Sequence, residues 1–220
     1  MLKHEQAVID SFNNYFKRRA NELGRQVISF SLDAQDDPVG GDYLLTDQSR
    51  FALIEFKFSQ REIGNEAKKP RRLRLCQELE NNREMKDLHD HGHFIAWAER
   101  PQFLGRCNIY RHEVCNRAVF GSDCGLQASS PQDSERVFAS EFADQFFASS
   151  GSRSLSLEEF ERYLAWVLRS PSGSTRQSLE LLTYDEHSDE CLMVVLPSVR
   201  DAYNWMQSRR PTASPSWSSP

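Results

Sequence analysis

The sequence FALIEFKF, from Phe51 to Phe58, is the clearest indication of the fold of this 220-residue chain. It is apolar on both faces of an extended chain except for Glu55 and Lys57. A run of that kind is typical of a strand buried in the centre of a sheet. Because side chains alternate along a strand, Glu55 and Lys57 project from the same face. Burying two opposite charges costs several kcal/mol unless they pair or bind a ligand, so this strand predicts a site.

The segments on either side predict the order helix, strand, strand, strand, helix, strand. Apolar residues at helical spacing, β-branched runs, and a proline at the start of the second helix indicate these elements. We expect helices over 2–23 and 70–92, and strands over 26–32, 42–46, 51–58 and 93–99. The rest of the chain predicts a strand over 107–114, helices near 131–148 and 157–169, a hairpin over 179–196 and a helix from Ser198.

This order predicts an α/β protein with a core over residues 1–100. We expect an α+β extension over 101–208 to pack on that core, and the Pro- and Ser-rich tail over 209–220 to be mobile. The composition is that of a folded protein, with 39% hydrophobic residues. No apolar run approaches the roughly 18 residues that a membrane helix needs, so no membrane association is expected.

The charge and the cysteines restrict the functional classes. A net charge of -5 argues against a protein that coats nucleic acid by bulk electrostatics. The N-terminal residues contain acids and amides in place of the apolar stretch of a secretory signal, so we expect a cytoplasmic protein. The five cysteines include no CxxC pair and are expected to be reduced, mostly buried thiols.

A third charged residue is expected next to Glu55 and Lys57. Asp42 follows the sequence VGG at the start of the preceding strand. If these two strands form a hairpin, Asp42 approaches Glu55 from the neighbouring strand end. The three residues therefore form a candidate site.

The GGD that ends in Asp42, twelve intervening residues, and the EFK of Glu55 to Lys57 resemble the PD-(D/E)XK nuclease superfamily. The resemblance covers roughly residues 5–99 and implies a restriction-endonuclease-like mixed β-sheet core. It implies that Asp42 and Glu55 hold magnesium, with manganese as a substitute. It also implies that Lys57 positions or activates the attacking water, and that an acid from the first helix, best matched by Glu5, joins the catalytic group. The activity it implies is metal-dependent hydrolysis of DNA phosphodiester bonds.

A basic segment follows the candidate catalytic strand. Residues 57–74 contain seven basic and two acidic side chains, and a nucleic-acid backbone would pass here. The residues predicted to contact it are Lys68, Lys69, Arg71, Arg72, Arg74 and, one helical turn after Leu73, Gln77.

Other interpretations of these residues remain open. Glu55 and Lys57 could form an ion pair on an edge strand facing water, and the basic segment could be a solvated helix start. The protein would then be an inactive nuclease-fold scaffold or a nucleic-acid-binding module. The histidines of HDHGH, His89, His91 and His93, are interpreted as a solvated helix end.

No zinc finger or clear helix-turn-helix motif is present, so we expect a partner protein to supply targeting, as in phage defence or DNA repair. The sequence leaves RNA as a substrate open, and also the oligomeric state, including a homodimer.

Overall fold

The computed structural model describes residues 2–32, 41–99, 104–133, 136–169, 179–185, 190–196 and 198–208. The tail predicted over 209–220 lies outside these residues. The elements of the first hundred residues are α1 (Leu2–Glu22), β1 (Ile28–Ser31), β2 (Tyr43–Thr46), β3 (Phe51–Ser59), a 3₁₀ helix (Gln60–Lys68), α2 (Pro70–Asn81), α3 (Arg83–Gly92) and β4 (His93–Glu99). The later elements are β5 (Leu104–Ile109), α4 (Tyr110–Val114), α5 (Arg117–Phe120), a 3₁₀ turn (Ser122–Cys124), β6 (Val137–Phe138), α6 (Ala139–Phe147), α7 (Leu157–Arg169), β7 (Leu179–Asp185), β8 (Glu190–Leu196) and α8 (Val199–Ser208).

The described strands form one mixed sheet in the order β6-β5-β4-β3-β2-β1-β7-β8. β3 and β4 are parallel, and the other neighbouring strands are antiparallel. The protein therefore has the mixed α/β architecture that the sequence predicts. Strands from the second half of the chain extend the sheet at both edges.

β3 lies in the middle of this sheet because its apolar residues alternate onto two buried faces. Ala52, Ile54 and Phe56 pack against α1 and α6 on one face. Phe51 and Leu53 belong to the core on the other face, which α2, α3 and α7 cover. Glu55 and Lys57 share the face of Phe51 and Leu53, so their charged groups enter the layer between the sheet and α2.

Some boundaries differ from those predicted. The helix expected over 70–92 is two helices, because the side chain of Asn82 accepts a hydrogen bond from Met85 N at 3.1 Å and starts α3 as its N-cap. The strand expected over 107–114 ends at Ile109, and Tyr110–Val114 is helical. The helix expected near 131–148 begins only at Ala139.

The prediction of reduced cysteines is wrong for one pair. Cys76 on α2 and Cys115, directly after α4, form a disulfide. Their Cα atoms lie 5.1 Å apart although 39 positions separate them in sequence. Cys107 and Cys124 are free and buried, as expected. The pairing was not predictable because it depends on how α2 packs against α4.

Within the described residues, no helix combines the length and the apolar character that crossing a membrane requires.

Candidate active site

Glu55 and Lys57 lie inside the protein on a central strand. Glu55 is 0% exposed and Lys57 is 7% exposed. β3 is hydrogen-bonded to β2 on one side and to β4 on the other. The interpretation as an edge-strand ion pair facing water is therefore wrong. The Lys57 ammonium pairs directly with the Glu55 carboxylate, so part of the cost of burying each charge is offset within the strand.

Asp42 lies beside Glu55, as the hairpin predicts. The Tyr43–Ile54 pair of the β2–β3 ladder brings Asp42, one residue earlier, opposite Glu55. Asp42 N donates to Ile54 O at 3.0 Å, and Asp42 Oδ2 accepts from Phe56 N at 2.7 Å. Burial, together with the negative charge of Glu55, raises the pKa of Asp42 to about 8. The two carboxylates thus face each other closely enough to repel when both are ionised.

Glu66, on the 3₁₀ helix, is a fully buried acid that sequence reasoning missed. Its Oε1 lies 3.0 Å from Lys57 Nζ, and its Oε2 accepts from Tyr110 OH at 2.8 Å. Burial alone would raise the pKa of Glu66, but Lys57, Arg72 and Lys69 hold it well below its usual range. The sequence offered little signal, because Glu66 stands in a polar segment without strand or helix periodicity.

Arg72 and Lys69, both predicted to lie along a nucleic-acid backbone, belong instead to this buried cluster. Arg72 is 1% exposed, with Nε 3.1 Å from Glu66 Oε2 and Nη2 3.5 Å from Glu55 Oε2. Lys69 Nζ lies 2.8 Å from Glu55 Oε1 and 3.3 Å from Glu66 Oε1. For Arg72, the prediction of a surface contact is wrong, because two buried carboxylates hold the guanidinium inward.

The other predicted contacts to nucleic acid separate into two groups. Lys68 and Arg74 are exposed, and Lys68 Nζ donates to Asn65 Oδ1 at 2.8 Å. Arg71 is partly exposed on the first turn of α2. Gln77 is exposed, and its side chain donates to Cys124 O at 2.8 Å. Basic charge therefore remains at the surface next to the cluster on Lys68, Arg71 and Arg74.

Glu5 lies near the cluster at the start of α1. Its side chain is partly buried, and that burial raises its pKa. Lys57 opposes this shift, whereas Glu55 adds to it, so the Glu5 carboxylate is near enough to both for their charges to act on it. That Glu5 belongs to the site stays a prediction.

The donor set suits a hard cation that keeps part of its water shell. Asp42 and Glu55 supply carboxylate oxygens on adjacent strands. Over the part of the chain that the structure describes, no group of three or more His, Cys, Asp or Glu side chains is arranged to hold a metal ion. Magnesium commonly binds through one or two carboxylates and retains several waters, whereas a structural zinc site needs four protein ligands. The number and type of these donors are those that magnesium accepts, whereas both Glu55 oxygens are paired with Lys57, Lys69 and Arg72 in this structure.

The histidines of HDHGH do not form a solvated helix end. His89 and His93 are 0% exposed, with ring centroids 4.7 Å apart, and of the three only His91 is exposed. The His93 ring stacks on Tyr110, and its Nδ1 lies 2.8 Å from Tyr163 OH. Burial lowers the pKa of His89. The His93 ring therefore packs on the ring of Tyr110, and the hydroxyl of Tyr110 donates to Glu66 in the cluster.

Comparison with protein families, characterised proteins and solved structures found no match. The function is therefore inferred from the geometry of the cluster formed by Asp42, Glu55, Lys57, Glu66, Lys69 and Arg72.

Proposed function

We propose that this protein is a magnesium-dependent nuclease that hydrolyses DNA phosphodiester bonds, with a PD-(D/E)XK type of site. The observation that carries the proposal is the meeting of Asp42 and Glu55 across two neighbouring strands, with Lys57 on the same face as Glu55. Two carboxylates beside a lysine ammonium combine cation ligands with a positive charge. Hydrolysis of a phosphodiester needs both, because the substrate and the attacking hydroxide are anions.

Asp42 and Glu55 would hold the cation. The chemistry that a bound magnesium ion supplies is neutralisation of phosphate charge and a lower pKa for its water. The hydrogen bond from Phe56 N fixes Asp42 Oδ2 against β3, so the orientation of this carboxylate is set by the backbone ladder.

Lys57 would act as a fixed positive charge. Burial lowers the pKa of Lys57, but Glu55 and Glu66 outweigh burial and raise it above the usual lysine range. The ammonium therefore stays protonated at neutral pH and is unsuited to act as a general base. It can stabilise the negative charge that develops on the phosphate. Glu66, held by Tyr110 and Arg72, positions this ammonium from the side opposite the strand.

The surface beside the cluster supports an anionic polymer as substrate. Lys68, Arg71 and Arg74 retain solvent exposure at the end of the 3₁₀ helix and along α2. Basic side chains in that position can contact successive phosphates while the cluster meets one of them. Because the chain as a whole is acidic, we expect a partner protein to supply targeting.

One observation favours a second candidate, an inactive nuclease-fold scaffold or nucleic-acid-binding module. Both carboxylate oxygens of Glu55 already face cations, Oε1 toward Lys57 and Lys69, and Oε2 toward Arg72. A network of this kind can fix a fold without binding a metal. The two candidates differ in whether a divalent cation binds.

The test is cleavage of supercoiled plasmid, linear DNA and RNA, each with magnesium, manganese or EDTA. We expect wild type to cut DNA with either metal and not with EDTA. Asp42→Asn and Lys57→Met should abolish cleavage. Asp87→Asn, which changes an exposed carboxylate on α3, is the matched control and should cut like wild type.

Thermal melting with and without magnesium separates loss of chemistry from loss of folding. Magnesium should stabilise wild type and Lys57→Met by binding the native state, and should not stabilise Asp42→Asn. Absence of both cleavage and any magnesium-dependent shift in wild type would replace the nuclease with the scaffold. Cleavage of RNA alone would keep the chemistry and change the substrate.

A further inference from the structure

Glu55 is reached by three cationic side chains that differ in how firmly each is held. The side chains of Arg72 and Lys57 are 1% and 8% exposed, whereas that of Lys69 is 25% exposed. Lys69 Nζ is nevertheless 2.8 Å from Glu55 Oε1. Lys69 is therefore the cation at this carboxylate with the easiest path to solvent.

The backbone positions of these residues also indicate that Lys69 is the least firmly held of the three cations. Lys57 is fixed within β3 by its pairing with Trp97 on β4, and Arg72 lies within α2. Lys69 is the single residue between the 3₁₀ helix and α2, with extended dihedrals of φ -93° and ψ 109°. Its flexible stem can rotate outward without breaking a ladder or a helical hydrogen bond of another residue. The side chains of Arg72 and Lys57 have no comparable path to solvent, because they are only 1% and 8% exposed.

A divalent cation that approaches Glu55 meets Lys69 as a competitor. Lys69 Nζ occupies Glu55 Oε1, an oxygen that the divalent cation would use, and also lies 3.3 Å from Glu66 Oε1. Lys57 and Lys69 already share Oε1, so a divalent cation would add a third positive centre at this oxygen, where repulsion is strong because the site is buried. We expect one ammonium to leave when the metal binds, and Lys69 is the one with a path outward.

We propose that Lys69 is a tethered cation that neutralises Glu55 in the metal-free protein and is displaced when magnesium binds. This inference rests on the proposed metal site. The displaced ammonium emerges beside Lys68 and Arg71, on the surface where substrate phosphates are expected. Lys69 thus exchanges a carboxylate partner for a phosphate partner, and couples magnesium binding to nucleic-acid binding.

The coupling has a definite sign. Nucleic acid draws Lys69 away from Glu55 and so raises the affinity for magnesium, and by thermodynamic reciprocity magnesium raises the affinity for nucleic acid by the same factor. In the absence of nucleic acid, Lys69 holds magnesium affinity down. Magnesium therefore does not fully occupy the site until nucleic acid is present.

The experiment compares Lys69→Met with Lys68→Met. Methionine keeps an unbranched stem and removes the charge in both cases, while Lys68 contacts Asn65 rather than Glu55. Isothermal titration with magnesium, without nucleic acid, is the first measurement. We expect Lys69→Met to bind magnesium about tenfold more tightly than wild type, and Lys68→Met to stay within about twofold of wild type.

The second measurement is binding of a short DNA duplex with phosphorothioate linkages, with and without magnesium. Magnesium should raise the DNA affinity of wild type and of Lys68→Met about tenfold, and that of Lys69→Met less than about threefold. If circular dichroism shows Lys69→Met to be unfolded, Lys69→Gln replaces it, because glutamine removes the charge and can still donate to Glu55.

Each outcome decides the proposal. Magnesium affinity of Lys69→Met equal to or weaker than that of wild type overturns the tethered cation while leaving the metal site in place. An equal gain in Lys68→Met shows a general charge effect and also overturns it. Absence of magnesium binding in all three proteins, with no cleavage by wild type, removes the proposed function itself.

Discussion

Replacement of Arg72 by Met should destabilise the protein far more than the same change at Arg74. Arg72 lies 1% exposed between Glu55 and Glu66, which are both fully buried. Methionine fills much of the space of the arginine stem but leaves these two carboxylates without their shared guanidinium. Lys57 and Lys69 still pair with both carboxylates, so the cost is that of the two charge-assisted hydrogen bonds from the guanidinium, about 1.5–3 kcal/mol each.

Arg74 provides the matched control on the same helix. Its side chain is 56% exposed and pairs with Glu78, four residues later, at 2.8 Å. An exposed pair of this kind contributes about 0.3–0.5 kcal/mol to the free energy of unfolding. The two variants therefore differ by about 3 kcal/mol or more, a large part of the ~5–15 kcal/mol that stabilises a typical domain.

The assay is urea unfolding in EDTA, followed by circular dichroism and tryptophan fluorescence. We expect Arg72→Met to lower the midpoint strongly without changing the slope, since the same surface is exposed on unfolding. Arg72→Met combined with Glu66→Gln should cost less than the two single changes added together, because the contact between these two side chains can be lost only once. A loss of stability in Arg72→Met no larger than in Arg74→Met would contradict the buried pairing of Arg72. It would mean that Arg72 is solvated, as the basic segment alone predicts.

Two further predictions concern pH. The pKa of Asp42 is raised to about 8, so below this pH the folded protein holds a proton that the unfolded chain has released. In EDTA the free energy of unfolding should therefore fall as pH rises from about 5 to about 8, by up to about 1.4 kcal/mol per pH unit, and should level off at higher pH. Urea titrations at several pH values should show this slope in wild type and lose it in Asp42→Asn; a slope that persists in the variant would assign it to another group. The lowered pKa of buried His89 acts in the opposite direction, since its contribution is present above pH ~6.5 and is lost as pH falls and the unfolded chain takes up the proton. The same titrations between pH 5 and 7 should compare His89→Gln with the exposed control His91→Gln. Only His89→Gln should lose less stability in acid than wild type. Equal behaviour of the two variants would contradict the burial of His89.

The central strand and its two charges were predictable because their causes are local. Alternation of side chains along FALIEFKF puts Glu55 and Lys57 on one face whatever the rest of the chain does. The short connection between β2 and β3 favours an antiparallel pair, and that pairing brings Asp42 next to Glu55. Strand periodicity and hairpin geometry thus sufficed to bring together three residues of the candidate site.

Which of the other charged side chains are buried depends on tertiary structure. Nothing in the run from Lys68 to Arg74 distinguishes the buried Arg72 from its exposed neighbours, because composition gives the charge of a segment and not the direction of each side chain. Arg72 turns inward because it meets Glu66, and Glu66 is held by Tyr110, which is 44 residues distant in sequence.

The same reason explains the histidines and the disulfide. His89 and His93 look like a polar helix end in sequence, but α7 and α4 cover them with Tyr163 and Tyr110. Cys76 has no partner by spacing and finds one only because α2 packs against the end of α4. Local pattern determines which segments form strands and helices. Burial and pairing of polar groups depend on which segments meet, and that is a property of the folded chain.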